Sequence, residues 1–143
     1  MAWSQLKAQF ESLIADSLAS RLNVHLTAYE RKNPLYVGRG WFTLDGEEIV
    51  SVQIPSFYSD NFRFSVETLD FGDAVYEFIN SPFEQSVKSG DELVQAFVYI
   101  DRRFGKRRLS KVNQEVLHPF AKALFAVRCR AEGIEIEDAP DDA

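Results

Sequence analysis

The sequence predicts an α+β fold: an N-terminal helix, a three- to four-stranded antiparallel β-meander, and a C-terminal helical bundle packed on one face of the sheet. Three observations carry this. Apolar residues up to position 22 recur at three- and four-residue steps. Between 23 and 54 they alternate and are interrupted by a hairpin dipeptide. From 71 onward the helical period returns. With 143 residues, one domain is expected, able to bury a core without metal or disulfide. A composition 45% hydrophobic and 27% charged is that of a folded chain, not a disordered one. Residues 1–131 are expected to form the domain and 132–143 an acidic, frayed C-terminal tail.

Trp3, Leu6, Phe10, Leu13, Ile14, Leu18 and Leu22 mark an amphipathic helix of about five turns. Its polar face sets Lys7 and Arg21 against Glu11 and Asp16. Anionic lipid would not attract that balance, so the apolar face is assigned to the core. Asn23 to Tyr29 alternates, with Val24, Leu26 and Ala28 on one face and His25, Thr27 and Tyr29 on the other, the pattern of a half-buried strand. Asn33-Pro34, Gly38 and Gly40 mark residues 30–40 as a loop. Trp41, Phe42 and Thr43 resume a strand, Asp45-Gly46 turns it, and Ile49, Val50, Val52 and Ile54 form the third strand, ended by Pro55. Residues 57–66 fit two readings. Phe62, Phe64 and Val66 alternate like a fourth strand, yet an aromatic-rich loop fits equally.

Asp70 then caps a helix with Asp73 in its first turn. Ser81, Pro82 and Glu84 read as a capping box with proline at the first helical position, and Ser89 with Glu92 repeats the box. Leu93, Phe97, Ile100 and Phe104 form one apolar stripe. Leu109, Val112, Val116, Phe120, Leu124 and Val127 form another. Phe104 and Leu109 are five residues apart, about 500° of helical turn, so the stripes differ by roughly 140°. One straight helix cannot bury both. The chain is therefore expected to turn a corner, with Gly105 in a left-handed stop conformation. Pro119 should kink the last helix or begin a new one.

Chemistry is sparse. Two histidines, His25 and His118, and one cysteine, Cys129, cannot make a zinc site. Both histidines read as packing or surface residues. Arg128 and Arg130 flank Cys129, but neighbours on a helix point in different directions, so an activated thiol is not expected. The Asp70-Phe71-Gly72 triplet lacks every other kinase landmark. Gly105-Lys106 fails as a phosphate loop, because Ile100 and Arg107 stand where glycine and a hydroxyl residue are needed. Glu47-Glu48 and Asp91-Glu92 are explained by solvation and capping. No catalytic residue, cofactor or metal is assigned. A single cysteine fits a reducing compartment. The start lacks a signal-peptide pattern, and no apolar run is long enough for a membrane span. The expected location is cytoplasmic, with no membrane partner.

Charge is strongly segregated. Residues 1–100 carry a net −7, residues 101–131 a net +7 and residues 132–143 a net −6. Six cations fall within ten residues: Arg102, Arg103, Lys106, Arg107, Arg108 and Lys111. They are the candidate anion- or partner-binding patch. Arg102 and Arg103 would end one helix, where cations suit the dipole, while Lys106, Arg107 and Arg108 would begin the next, where they oppose it. Compensation is expected first from within, through Asp101, the acidic first part of the chain or the acidic tail. The functional reading is a non-enzymatic protein-interaction module, with an acidic antagonist of a basic partner as one form. The alternative is binding of nucleic acid or another polyanion through the helix corner 102–111, which the negative net charge disfavours. Phe57, Tyr58, Phe62 and Phe64 could stack bases, but core packing explains them more simply. Partner identity and oligomeric state are left open.

Five landmarks point further: "WSQLK" near the start, "GRGWFTLDGEEI", "DFGDAVYEFIN", "DRRFGKRRL" and "LHP". With them the chain resembles a family of small, uncharacterised bacterial cytosolic proteins, from residue 3 to about residue 128. The resemblance implies a single-domain bacterial protein. It brings no activity, cofactor or catalytic residue.

Overall fold

The structure, a computed structural model, describes residues 3–30, 36–54 and 71–135. The choice between strand and loop at 57–66, the aromatic residues there, the Asp70 cap and segment 136–143 lie outside the described residues. A first helix, α1 (Trp3–Glu11), leads into three strands, β1 (Leu22–Glu30), β2 (Tyr36–Leu44) and β3 (Glu47–Ile54). They pair antiparallel in the order β1-β2-β3, a meander. Helices α2 (Phe71–Asn80), α3 (Phe83–Val87), α4 (Glu92–Val98), α5 (Lys106–Leu109) and α6 (Pro119–Glu132) come next, with a 3-10 turn at Gln114–Val116. The fold is α+β.

The β2–β3 turn has Asp45 at φ 52° and Gly46 at φ 87°. Positive φ at both central residues is the turn that matches strand twist. The register steps between Phe42 opposite Val50 and Thr43 opposite Glu48, so Ile49 occupies a bulge. Val24, Phe42, Val50 and Val52 are buried on the face that meets the helices. His25, Trp41 and Ser51 pair across the other face. At the β1 edge, Glu11 accepts a hydrogen bond from the Val24 amide at 3.0 Å, and Lys7 donates to the Val24 carbonyl. Side chains from α1 thus satisfy part of an otherwise open edge.

Six phenylalanines, Phe10, Phe42, Phe71, Phe78, Phe97 and Phe120, are almost wholly buried. They come from α1, β2, α2, α4 and α6. Phe97 is the hub, meeting Phe10, Phe71 and Phe78 nearly edge-on, with ring centroids 5.0, 5.8 and 5.7 Å away. Edge-to-face packing favours such rings beyond simple area burial.

Four sequence expectations are corrected. The first helix is half the expected length. After Glu11 the Leu13 carbonyl accepts from the Arg102 amide at 2.8 Å, and the Ala15 amide donates to the Ile100 carbonyl at 2.9 Å. These groups leave the helical ladder to form an Ile14–Asp101 bridge, while Ile14, Leu18 and Leu22 stay buried. Second, residues 36–40 belong to β2 and not to a loop. A Cβ on Gly40 would lie 2.2 Å from the Phe71 ring, so this glycine serves close packing within a strand.

Third, neither capping box forms. Pro82 precedes α3 without a side-chain cap, and Glu84 is drawn to Arg108. The α4 cap is Asp91, whose Oδ1 accepts from the Leu93 and Val94 amides at 3.0 and 2.9 Å. Ser89 accepts from the Asp91 amide. Fourth, the last stripe is not one helix. Asn113 caps the 3-10 turn and Val116 is 77% exposed. Pro119 begins a new helix, α6, the second of the two outcomes expected for it, with His118 Nδ1 accepting from the Phe120 amide at 3.1 Å.

Candidate functional site: a basic corner

The two stripes are separated by a bend, but it is built differently from the sequence expectation. α4 stops at Val98, so Arg102 and Arg103 lie in a turn past its end. Gly105 is extended, at φ −80° and ψ 171°, and stands at the N-cap of α5. The left-handed stop is not there. α5 is a single turn of four residues, too short to sum an appreciable dipole, so the expected opposition between dipole and cations lapses.

What holds the corner is Arg128, a residue sequence reasoning assigned no role. The residue is 3% exposed. Nη1 donates to the carbonyls of Tyr99 and Asp101 at 3.1 and 2.9 Å, and Nη2 to the Phe104 carbonyl at 2.8 Å. Nε donates to Glu132 Oε2 at 2.8 Å, which also accepts from Ser17 Oγ at 2.8 Å. The planar fork thus donates to carbonyls past the end of α4, where the helical ladder stops; of these, the Asp101 carbonyl also accepts from the Phe104 amide at 3.0 Å. Burial pushes the Glu132 carboxyl up. Hydrogen bonds from Arg128 and Ser17, with the charges of Arg128 and Lys106, together bring it below its ordinary range. A sequence signal existed. Arg128 comes four residues after Leu124, on the apolar face of α6.

The six candidate cations divide. Asp101, 1% exposed, accepts from the Arg103 amide at 2.7 Å and from Arg103 Nε and Nη2 at 2.9 and 2.7 Å. The Arg103 guanidinium also lies 4.6 Å over the Phe83 ring. Arg108 donates twice to Glu84, at 2.8 and 3.2 Å, and covers Phe104 at 4.9 Å. The Arg108 hydrogen bond holds the Glu84 carboxyl below its usual value. Arg102, Lys106, Arg107 and Lys111 are exposed. Their side chains have no hydrogen bond or ion pair among the described residues. The structure therefore pairs two of the candidates internally and leaves four exposed along residues 102–111.

The other candidates are occupied. His25 Nε2 is 2.9 Å from Thr43 Oγ1, and its ring stacks on Trp41 at 5.1 Å. Burial, then the charge of Lys7, lowers its pKa. Burial likewise lowers that of His118. Cys129 is fully buried, and burial pushes its thiol up despite Arg128. A cleft of about 250 Å³ is lined by Glu77, Ser81, Gln85, Ser86, Lys88 and Ser89 with Val94. A second, of about 520 Å³, runs along α6 beside Ile49. Among the described residues, neither is lined by a histidine or by paired carboxylates. Among those residues too, no cluster of ligating side chains could hold a metal, and no helix is long and apolar enough to cross a membrane.

No curated protein and no solved structure matches the chain. The sequence profile of the SF0329 protein family matches residues 2–68 and 63–129, which takes in every described helix and strand except the end of α6. The resemblance drawn from the landmark segments covers almost the same span, and the chain belongs to the SF0329 protein family.

Proposed function

We propose that this chain is a non-enzymatic interaction protein that docks an acidic segment of a protein partner on the corner formed by the 99–105 turn and α5. One observation carries the reading. Arg102, Lys106, Arg107 and Lys111 are exposed along residues 102–111, and the backbone from Tyr99 to Phe104, which leads into this stretch, is held from beneath by Arg128. Cations presented on a fixed frame lose less freedom on binding than cations on a loose loop. The engagement of both histidines and the burial of Cys129 support a role without catalysis. A cytoplasmic, bacterial setting is part of the reading. It rests on the sequence resemblance and on a single unpaired cysteine that is buried.

A labelled oligoglutamate peptide and a duplex DNA of similar charge test it by fluorescence anisotropy. Peptide binding should be measurable at about 50 mM salt and lost by about 500 mM. In Arg102→Glu/Arg107→Glu the affinity should fall by roughly tenfold or more. Binding that survives the double reversal would move the site elsewhere. DNA bound more tightly than the peptide, with a steep salt slope, would replace the protein partner with nucleic acid.

A further inference from the structure

Helix α3 serves two neighbours. Phe83 and Glu84 meet Arg103 and Arg108 of the corner. Gln85 and Ser86, with Lys88 and Ser89 just beyond, instead line the cleft of about 250 Å³ that Glu77 of α2 and Val94 of α4 help to close. Ser86 is 2% exposed, and its Oγ is the one buried side-chain polar atom among the described residues that has no hydrogen-bond partner. A buried, unpaired hydroxyl disfavours folding, and alanine would suit the same helical position better. Folding alone therefore gives no reason for a serine here. Other groups around the cleft also keep hydrogen-bonding capacity. Ser89 Oγ accepts from the Asp91 amide at 3.0 Å, which leaves its own proton to donate. Ser81, also at the cleft, donates to Glu77 Oε2 at 3.2 Å, while Glu77 Oε1 has no partner among the described residues. Among the same residues the Lys88 side chain, at the C-cap of α3, makes no hydrogen bond or ion pair.

We propose that this cleft binds a small zwitterion of the α-amino acid type, its carboxylate received by Ser86 Oγ and Lys88 and its ammonium by Glu77. The charges around the cleft select the class. A plain anion would meet Glu77 and a plain cation Lys88, whereas a molecule carrying both charges finds a charge-assisted hydrogen bond for each. The volume selects the size. It falls just under the roughly 300 Å³ at which pockets for drug-sized ligands begin. Val94 is the one apolar residue of the lining, so a short side chain is favoured over a long aliphatic one. The cleft shares α3 with the corner but none of its cations, so oligoglutamate docking and amino-acid binding stand or fall separately.

L-alanine, L-lactate and isopropylamine form a matched set of probes: the second lacks the ammonium and the third the carboxylate. Each is titrated into the full isotope-labelled chain at constant ionic strength while the amide shifts are followed by NMR. Alanine should shift the amides of residues 77–94 saturably, with a midpoint on the order of millimolar for a ligand of so few atoms. Lactate and isopropylamine should each bind at least roughly tenfold more weakly. Shifts that never saturate with alanine, or either analogue binding as tightly as alanine, would overturn the inference. Two variants locate the contacts. Ser86→Ala should weaken alanine binding by roughly tenfold, yet leave the ligand-free chain at least as stable to urea, because its hydroxyl has no partner to lose. Glu77→Gln should abolish the preference for alanine over lactate. Undiminished alanine binding in Ser86→Ala, destabilisation of the free chain by that change, or a preference that survives Glu77→Gln would each overturn the assignment.

Discussion

Arg107 and Arg128 carry the same guanidinium on the outside and the inside of one corner, and they do opposite work. Arg128 is stripped of water and spends its donors on three backbone carbonyls and a carboxylate. Arg107 stands in solvent beside other cations. A cation with four of its five N–H donors committed in a low-dielectric setting fixes a structure, and a cation with none committed is available to a ligand. The corner needs both. Without the buried arginine the Tyr99 and Phe104 carbonyls would lose its donors, and the turn that carries Arg102 would lose its support from beneath.

The largest expected effect breaks the inner half of that pair. Arg128→Met keeps much of the side-chain volume but takes their guanidinium donor from the Tyr99 and Phe104 carbonyls, and one of two donors from the Asp101 carbonyl and the Glu132 carboxylate. A loss of about 3–5 kcal/mol is expected in urea unfolding. By contrast, Arg107→Ala should change stability by no more than about 0.5 kcal/mol. A loss near that small value for Arg128→Met would mean that water replaces the guanidinium and that the corner is not pinned from below.

Asp101 stands between the two halves. It is buried, but its partner Arg103 has a side chain 38% exposed. Asp101→Ala removes three hydrogen bonds, one of them to a backbone amide. The freed guanidinium can turn to water, so the loss should be smaller, about 2 kcal/mol. A cost equal to that of Arg128→Met would show that the outer turn, not the buried fork, carries the corner.

Acid offers a milder perturbation. The folded Glu132 carboxyl lies below its ordinary value of 4.5, so unfolding takes up a proton in this range. Its contribution is complete above the unfolded pKa and disappears as the pH drops through the lower, folded one. Unfolding free energy measured from about pH 6 to pH 3 should fall more steeply in the wild-type chain than in Glu132→Gln. Parallel profiles would remove Glu132 from the set of groups that hold the corner.

Much of this architecture was legible as periodicity. Two-residue alternation located β1 and β3, the Asp45-Gly46 pair located the hairpin, and the clash of two helical phases located the corner. Periodicity reports which side chains are buried, not where backbone hydrogen bonds go. That is why the spacing of Ile14, Leu18 and Leu22 was read as more helix when the backbone there pairs with residues 100–102. Local signals also compete with distant ones. Glu84 suited a capping box by its position, yet an arginine 24 residues away took it. The outward patch was visible as a run of cations. Which members were free was only partly visible: Asp101 was an expected compensator two residues from Arg103, whereas Arg108 found Glu84, 24 residues away, only through the fold.

Gly105 gives the finest test, because sequence and structure disagree about it. A left-handed glycine would make alanine costly, as is expected for Gly133→Ala, where φ is 74° and a loss of about 1 kcal/mol should result. Gly105 instead has φ −80°, and a Cβ there would meet nothing within 4 Å. Two small effects then oppose each other. Alanine is a poorer N-cap than glycine, which disfavours the folded state. It also restricts the unfolded chain, which favours folding by about 0.4–1 kcal/mol. Gly105→Ala should therefore lie within about 0.5 kcal/mol of the wild type by urea unfolding and leave oligoglutamate affinity unchanged. A penalty matching that of Gly133→Ala would mean that the glycine itself makes the bend, with Arg128 only filling the space beneath it.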